Sequence, residues 1–338
     1  MKKTVVILLA VVVFMAAVLS GCAKNSSQAV SKTSKSSKGQ QKIKIVTTIF
    51  PAYDWVEQIL GSKADKADVT MLLDNGVDLH SYQPTTEDVA KVKSCDLFIY
   101  VGGESDAWVD KALKNAKNKK MKVINLLDVL GDSVKEEEAK KGMMPEDEED
   151  EGGGDEPEYD EHVWLSLKNA KVLTKAVAKD IEALDPDNAD TYQKNEAHYT
   201  QQLAALDKKY EKAVQQSQGK TLVFGDRFPF RYMIDDYGLD YYAAFAGCSA
   251  ETEAGFKTVS FLAKKVDQLK LKNVVVIEGS DKKIAKTVIK NTAKKKQHIV
   301  TMDSMQSTTS DDVKAGKNYL DVMRKNLDVL KKALQREA

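Results

Sequence analysis

The sequence predicts an α/β fold: two doubly wound parallel-sheet lobes of about four strands each, joined by a long rigid α-helix, with a cleft between the lobes. Three observations predict it. Strand-like and helical segments alternate along the chain from Lys42 onward. The same order of elements occurs twice. Between the two runs, residues 188–216 keep a helical apolar spacing with no Gly or Pro.

The N-terminus precedes the fold. Met1-Lys2-Lys3 is a short basic segment, and residues 4–19 form an apolar run that is short for a membrane span but suits a secretory signal. It ends in Leu19-Ser20-Gly21-Cys22, which resembles the lipobox of bacterial lipoproteins. Residues 1–21 are therefore expected to be a signal peptide. Cys22 becomes the lipid anchor, and 22–41, rich in Ser, Lys and Gln, a flexible tether. This implies a protein held at the outer face of the cytoplasmic membrane.

The first lobe is expected over 42–186. Residues 43–50, 69–73, 97–101 and 123–127 read as strands; the segment after Pro51, 86–93 and 108–118 read as helices. A helix over 170–184 is stopped by Asp185-Pro186, and Asp187 or Asn188 caps the next, which forms the linking segment 187–217. Its apolar stripe is Tyr192, Tyr199, Leu203, Leu206, Tyr210 and Val214. The second lobe, 218–338, repeats the pattern. Strands are expected at 221–224, 239–244, 274–277 and 299–302, with helices at 230–236, 256–269, 282–293 and 312–334. Residues 144–161 hold eleven Asp or Glu, so a self-repelling, disordered acidic loop is expected at about 136–160.

The 51 basic and 51 acidic residues balance, with no basic stripe, which argues against nucleic acid as a partner. Besides Cys22 there are only Cys95 and Cys248, assigned to different lobes and read as buried thiols.

The chemistry concentrates in few residues. Of four histidines, His80 and His162 follow strand-like or loop segments where ligands of open α/β sheets bind. His198 falls mid-helix, and His298 begins a strand at its amino end. The second lobe offers carboxylates after its strands: Asp226, Glu251, Glu253, Glu278 and Asp303. Two imidazoles with one or two carboxylates suit Zn²⁺ or Mn²⁺.

Leu79-His80-Ser81-Tyr82-Gln83-Pro84, Asp160-Glu161-His162-Val163-Trp164 after an acidic loop, and Asp303-Ser304 together resemble the zinc/manganese solute-binding lipoproteins of ABC transporters. The resemblance covers nearly the whole mature chain. It implies a monomeric metal-capturing protein that delivers Zn²⁺, or alternatively Mn²⁺, to an ABC permease membrane subunit. It also implies His80, His162 and Asp303 as ligands. Where the family places a further His or Glu, this chain has Arg227, which cannot ligate a cation. Asp226, Glu251, Glu253 or a water could fill that place, or Arg227 could pair with a carboxylate beside a three-ligand site. Two other functions remain open, a secreted metallohydrolase, for which no catalytic signature is present, and a surface adhesin.

Overall fold

The computed structural model describes residues 42–138, 140, 142, 159–245 and 254–337. The signal segment, Cys22, the tether, most of the acidic loop, Cys248, Glu251 and Glu253 lie outside the described residues. Gln41–Ala338 forms one compact unit.

The first half contains β1 (Ile43–Thr47), α1 (Phe50–Leu60), β2 (Ala67–Met71), α2 (Thr86–Ser94), β3 (Leu97–Tyr100), α3 (Val109–Lys114), β4 (Lys122–Asn125) and α4 (Leu126–Leu130). Then come α5 (Leu167–Leu184) and α6 (Ala189–Gln215). The second half contains β5 (Thr221–Phe224), α7 (Arg231–Asp236), β6 (Asp240–Ala243), α8 (Phe256–Gln268), β7 (Asn273–Ile277), α9 (Lys283–Lys290), β8 (His298–Met302), α10 (Ser310–Lys314) and α11 (Tyr319–Ala333).

The strands form two four-stranded parallel sheets, ordered β2-β1-β3-β4 and β6-β5-β7-β8. In each sheet the chain moves outward to one side and then returns to build the other. That reversal leaves a crevice at the carboxyl ends of the strands.

Several boundaries differ from the sequence reading, and three have a clear local cause. β1 stops at Thr47 because Phe50 and Pro51 open α1, where proline in the first turn costs no hydrogen bond. β4 stops at Asn125, whose side chain accepts from the backbone N–H groups of Leu127 and Asp128 and so starts α4. The single helix expected over 312–334 is two. Gly316 at φ 92° ends the first, and Asn318 caps α11 by accepting from the Asp321 N–H.

The 27-residue α6, on the order of 40 Å long at ~1.5 Å per residue, packs against α1, α5 and α11. It therefore touches helices from both halves. The whole expected stripe, from Tyr192 to Val214, is buried. Each of its buried tyrosine hydroxyls has an acceptor: Tyr192 donates to Asp185, Tyr199 to Asp54 and Tyr210 to the Met323 carbonyl. Asp54 of α1 also accepts from the Tyr319 N–H of α11. One core cluster includes residues of both sheets, such as Leu97 and Phe224, together with α1, α5, α6 and α11. A second covers the far face of the second sheet, where Val223, Val274 and Val276 meet α8 and α9. Cys95 is a buried free thiol, its pKa pushed up to about 12 by burial and the nearby Asp96.

Candidate metal centre

His80 lies on a single 3-10 turn, Leu79–Ser81, in the connection after β2. Asp78 caps that turn by accepting the His80 N–H. The turn fixes the backbone, and two groups fix the ring. Ser105 Oγ stands 2.7 Å from His80 Nδ1, and Glu161 Oε2 3.6 Å from it. Glu161 is itself held by the Ser105 N–H at 3.0 Å. It reaches there because residue 103 is glycine. A Cβ at Gly103, whose φ is 77°, would stand 2.3 Å from the Glu161 carboxylate.

His162 is fully buried at the start of the turn Val163–Leu165. One oxygen of Asp160 accepts both the His162 N–H at 2.8 Å and Nδ1–H at 2.9 Å. A carboxylate on Nδ1 leaves the lone pair of the neutral ring on Nε2, the arrangement found behind metal-binding histidines. Both rings thus turn Nε2 toward a common point, and the two Nε2 atoms are 3.4 Å apart. Two imidazoles bound to one tetrahedral zinc at ~2.0–2.1 Å have nitrogens ~3.3–3.4 Å apart. The pair fits one edge of a zinc tetrahedron.

The electrostatics separate the two rings. Burial, with the His162 ring beside it, pushes the His80 pKa down to about 4 against the opposing pull of Asp78. Burial also disfavours charge on His162. There the Asp160 carboxylate, aided by Glu161 and Asp78, outweighs it and raises the pKa.

The second half supplies the facing wall. Arg227 Nη1 pairs with Asp78 Oδ2 at 3.1 Å, so the residue in the expected third-ligand place holds a carboxylate. Asp226 accepts backbone N–H groups from Arg227 at 2.9 Å and Ile277 at 3.4 Å. Asp303 accepts the Met305 N–H at 2.8 Å and pairs with Lys317 at 3.0 Å. Glu278 accepts from the Ser304 N–H and hydroxyl and from the Gln306 N–H. Burial and the nearby Asp303 raise its pKa. Among the described residues, no group of three or more His, Cys, Asp or Glu stands at metal-ligand spacing. The structure brings His80 and His162 together and ties Asp226 and Asp303 to other partners. His198 is exposed on α6, and His298 is exposed at the start of β8.

Sequence reasoning assigned no role to Ser105, Lys317 or Gln306. Gly102-Gly103 after β3 is a signal for a close approach there. Nothing in the sequence marks Gln306, whose amide lies 3.2 Å from His162 Nε2.

Residues 45–333 match the model of the ZnuA family, described as zinc-uptake complex component A, periplasmic. The chain is 32% identical over 300 residues to the zinc-binding lipoprotein AdcA of Streptococcus pneumoniae serotype 4, covering 88% of this chain and 56% of that protein. It thus spans little more than half the length of that relative. It is 29% identical over 306 residues to the high-affinity zinc uptake system protein ZnuA of Bacillus subtilis strain 168, covering 90% and 91% of the two chains. The zinc-bound ZnuA-like domain of S. pneumoniae AdcA superposes with a TM-score of 0.66 at 31% identity, covering 87% of this chain and 99% of that one.

Proposed function

The chain belongs to the ZnuA family of zinc-uptake components, and on that premise we propose that it is the extracytoplasmic solute-binding component of an ABC importer. It captures one Zn²⁺ between its two sheets and passes it to a membrane permease. It is a carrier and not an enzyme. It acts as a monomer, tethered through a lipid on Cys22 in the Leu-Ser-Gly-Cys sequence. His80 and His162 are the primary ligands, and Asp303 joins them when Lys317 releases it.

The single observation that carries this reading is the pair of Nε2 atoms at 3.4 Å, each ring fixed from behind by a group on Nδ1. Two pre-oriented imidazoles favour a borderline ion such as Zn²⁺. Among the described residues, the carboxylates nearest to them, Asp160 and Glu161, support the rings from behind.

The test is a zinc titration of the full chain with elemental analysis of the loaded protein. One zinc per chain is expected, and the double variant His80→Ala, His162→Ala should lose tight binding. Retention of wild-type affinity by the double variant would overturn the assignment.

A further inference from the structure

We propose that the side-chain oxygen of Gln306 is a further zinc ligand beside His80 and His162. The inference rests on the zinc-site reading above and deepens it.

The segment carrying Gln306 is built rather than loose. Gln306 is 8% exposed. Glu278 clamps its N–H at 3.1 Å and that of Ser304 at 2.7 Å. Between them Met305 is held at φ 66°, a left-handed conformation that costs a non-glycine residue about 1–2 kcal/mol. The Asp303 carboxylate stabilises this turn by accepting the Met305 N–H. Strain kept in place by several hydrogen bonds points to a side chain whose direction matters. Here it sends the Gln306 amide into the space beside the two histidines.

The neighbours fix the orientation of that amide. One of its two heavy-atom ends lies 3.0 and 3.1 Å from the two oxygens of Asp78. A carboxylate paired with Arg227 only accepts hydrogen bonds, so this end is the NH₂ group. Those two contacts with a charged carboxylate outweigh the contacts of the other end, with the neutral Ser304 hydroxyl at 3.3 Å and the His162 ring at 3.2 Å. The oxygen therefore faces His162 Nε2 at 3.2 Å.

An amide oxygen and two imidazole nitrogens are all electron-pair donors. Three of them, 3.2 and 3.4 Å apart across His162, are held together by a proton on a ring nitrogen or by a metal ion that displaces it. Zinc fits that place, because both spacings are close to the ~3.3 Å edge of its coordination tetrahedron. Arg227 then acts at one remove, holding Asp78, which holds the amide nitrogen of Gln306.

The experiment compares zinc affinity, by competition with a chromogenic chelator, for the full chain and for Gln306→Ala, Gln306→Glu and His162→Ala. It also determines a crystal structure of the zinc-loaded wild-type chain with zinc located by anomalous scattering. A ligand role predicts that Gln306→Ala weakens binding by at least about tenfold. It also predicts that Gln306→Glu, with an anionic oxygen in the same place, binds tighter than Gln306→Ala. Zinc should lie within ~2.2 Å of Gln306 Oε1 in the crystal. If Gln306→Ala binds as tightly as wild type or more tightly while His162→Ala loses binding, the amide is not a ligand and the proposal falls alone. A zinc ion on His80 and His162 but away from Gln306 overturns it in the same way. If His162→Ala also keeps full affinity, the zinc-site reading falls and this proposal with it.

Discussion

The indole N–H of Trp164 donates to the backbone carbonyl of Ser304 at 2.9 Å, joining the loop of His162 directly to the loop that carries Asp303 and Gln306. Trp164 is buried, and its own carbonyl accepts the Tyr319 hydroxyl at 2.6 Å. The two walls of the candidate metal centre are thus joined through one residue.

Trp164→Phe keeps most of the ring and removes the donor. It should leave the Ser304 carbonyl without its partner and destabilise the protein by about 1–3 kcal/mol. Zinc affinity should fall by roughly tenfold, as for other losses behind the ligands. Urea unfolding and a zinc titration of the same variant check both effects.

Asp160 orients His162 through one oxygen, so its substitution separates position from charge. Asp160→Asn can keep both hydrogen bonds while losing the negative charge, and should weaken zinc by about tenfold; Asp160→Ala loses both and should approach 100-fold. Equal losses in the two variants would mean that charge, and not ring orientation, is what Asp160 supplies.

Zinc binding should depend on pH through His162 more than His80. The His162 pKa is raised, so a proton occupies that ring over a wider range and competes with metal for it. Affinity should therefore be constant above that pKa and fall about tenfold per pH unit below it, one proton being displaced per zinc. His80, with a pKa of about 4, is already neutral in this window and adds a second proton only near pH 4. Calorimetry in buffers of different ionisation enthalpy counts the protons. Release of two protons between pH 5 and 6 would contradict this division.

Loading should move loops more than lobes. Asp54 joins α1, α6 and α11 through Tyr199 and Tyr319, and α6 runs against helices of both halves without Gly or Pro. Hinge bending would break those buried hydrogen bonds or the packing of its stripe. Small-angle scattering of metal-free and zinc-loaded protein should give the same radius of gyration, and hydrogen exchange should change at His80 and Arg227 but not along α6. A clear contraction with new protection along α6 would sink the idea.

Much of the fold was legible because it rests on local periodicity. The alternation of strands and helices and the stripe of α6 are patterns of neighbouring residues. What sequence reading missed were boundaries set by single side chains or backbone angles. Asn125 ended a strand by capping a helix, and Gly316 split one helix into two. At the proposed metal centre, only residues carried by a local motif stood out. His80 and His162 stand in recognisable local sequences, whereas Gln306 and Lys317 carry no local signature.

The sequence by itself determined the α/β class, the two parallel sheets and the long helix. All of these follow from spacing along the chain, which residue types and hydrogen-bonding periods dictate. Tertiary structure alone decided what surrounds His80 and His162. It placed Arg227 on Asp78, Lys317 on Asp303 and the Gln306 amide against His162. These partners lie 149, 14 and 144 residues apart in the sequence. The docking of one sheet's loops against the other's brings the first and third pairs within reach, and the turn between α10 and α11 brings Lys317 back to Asp303. A hydrogen bond is decided over a few tenths of an ångström, a precision that side-chain packing supplies and residue order does not.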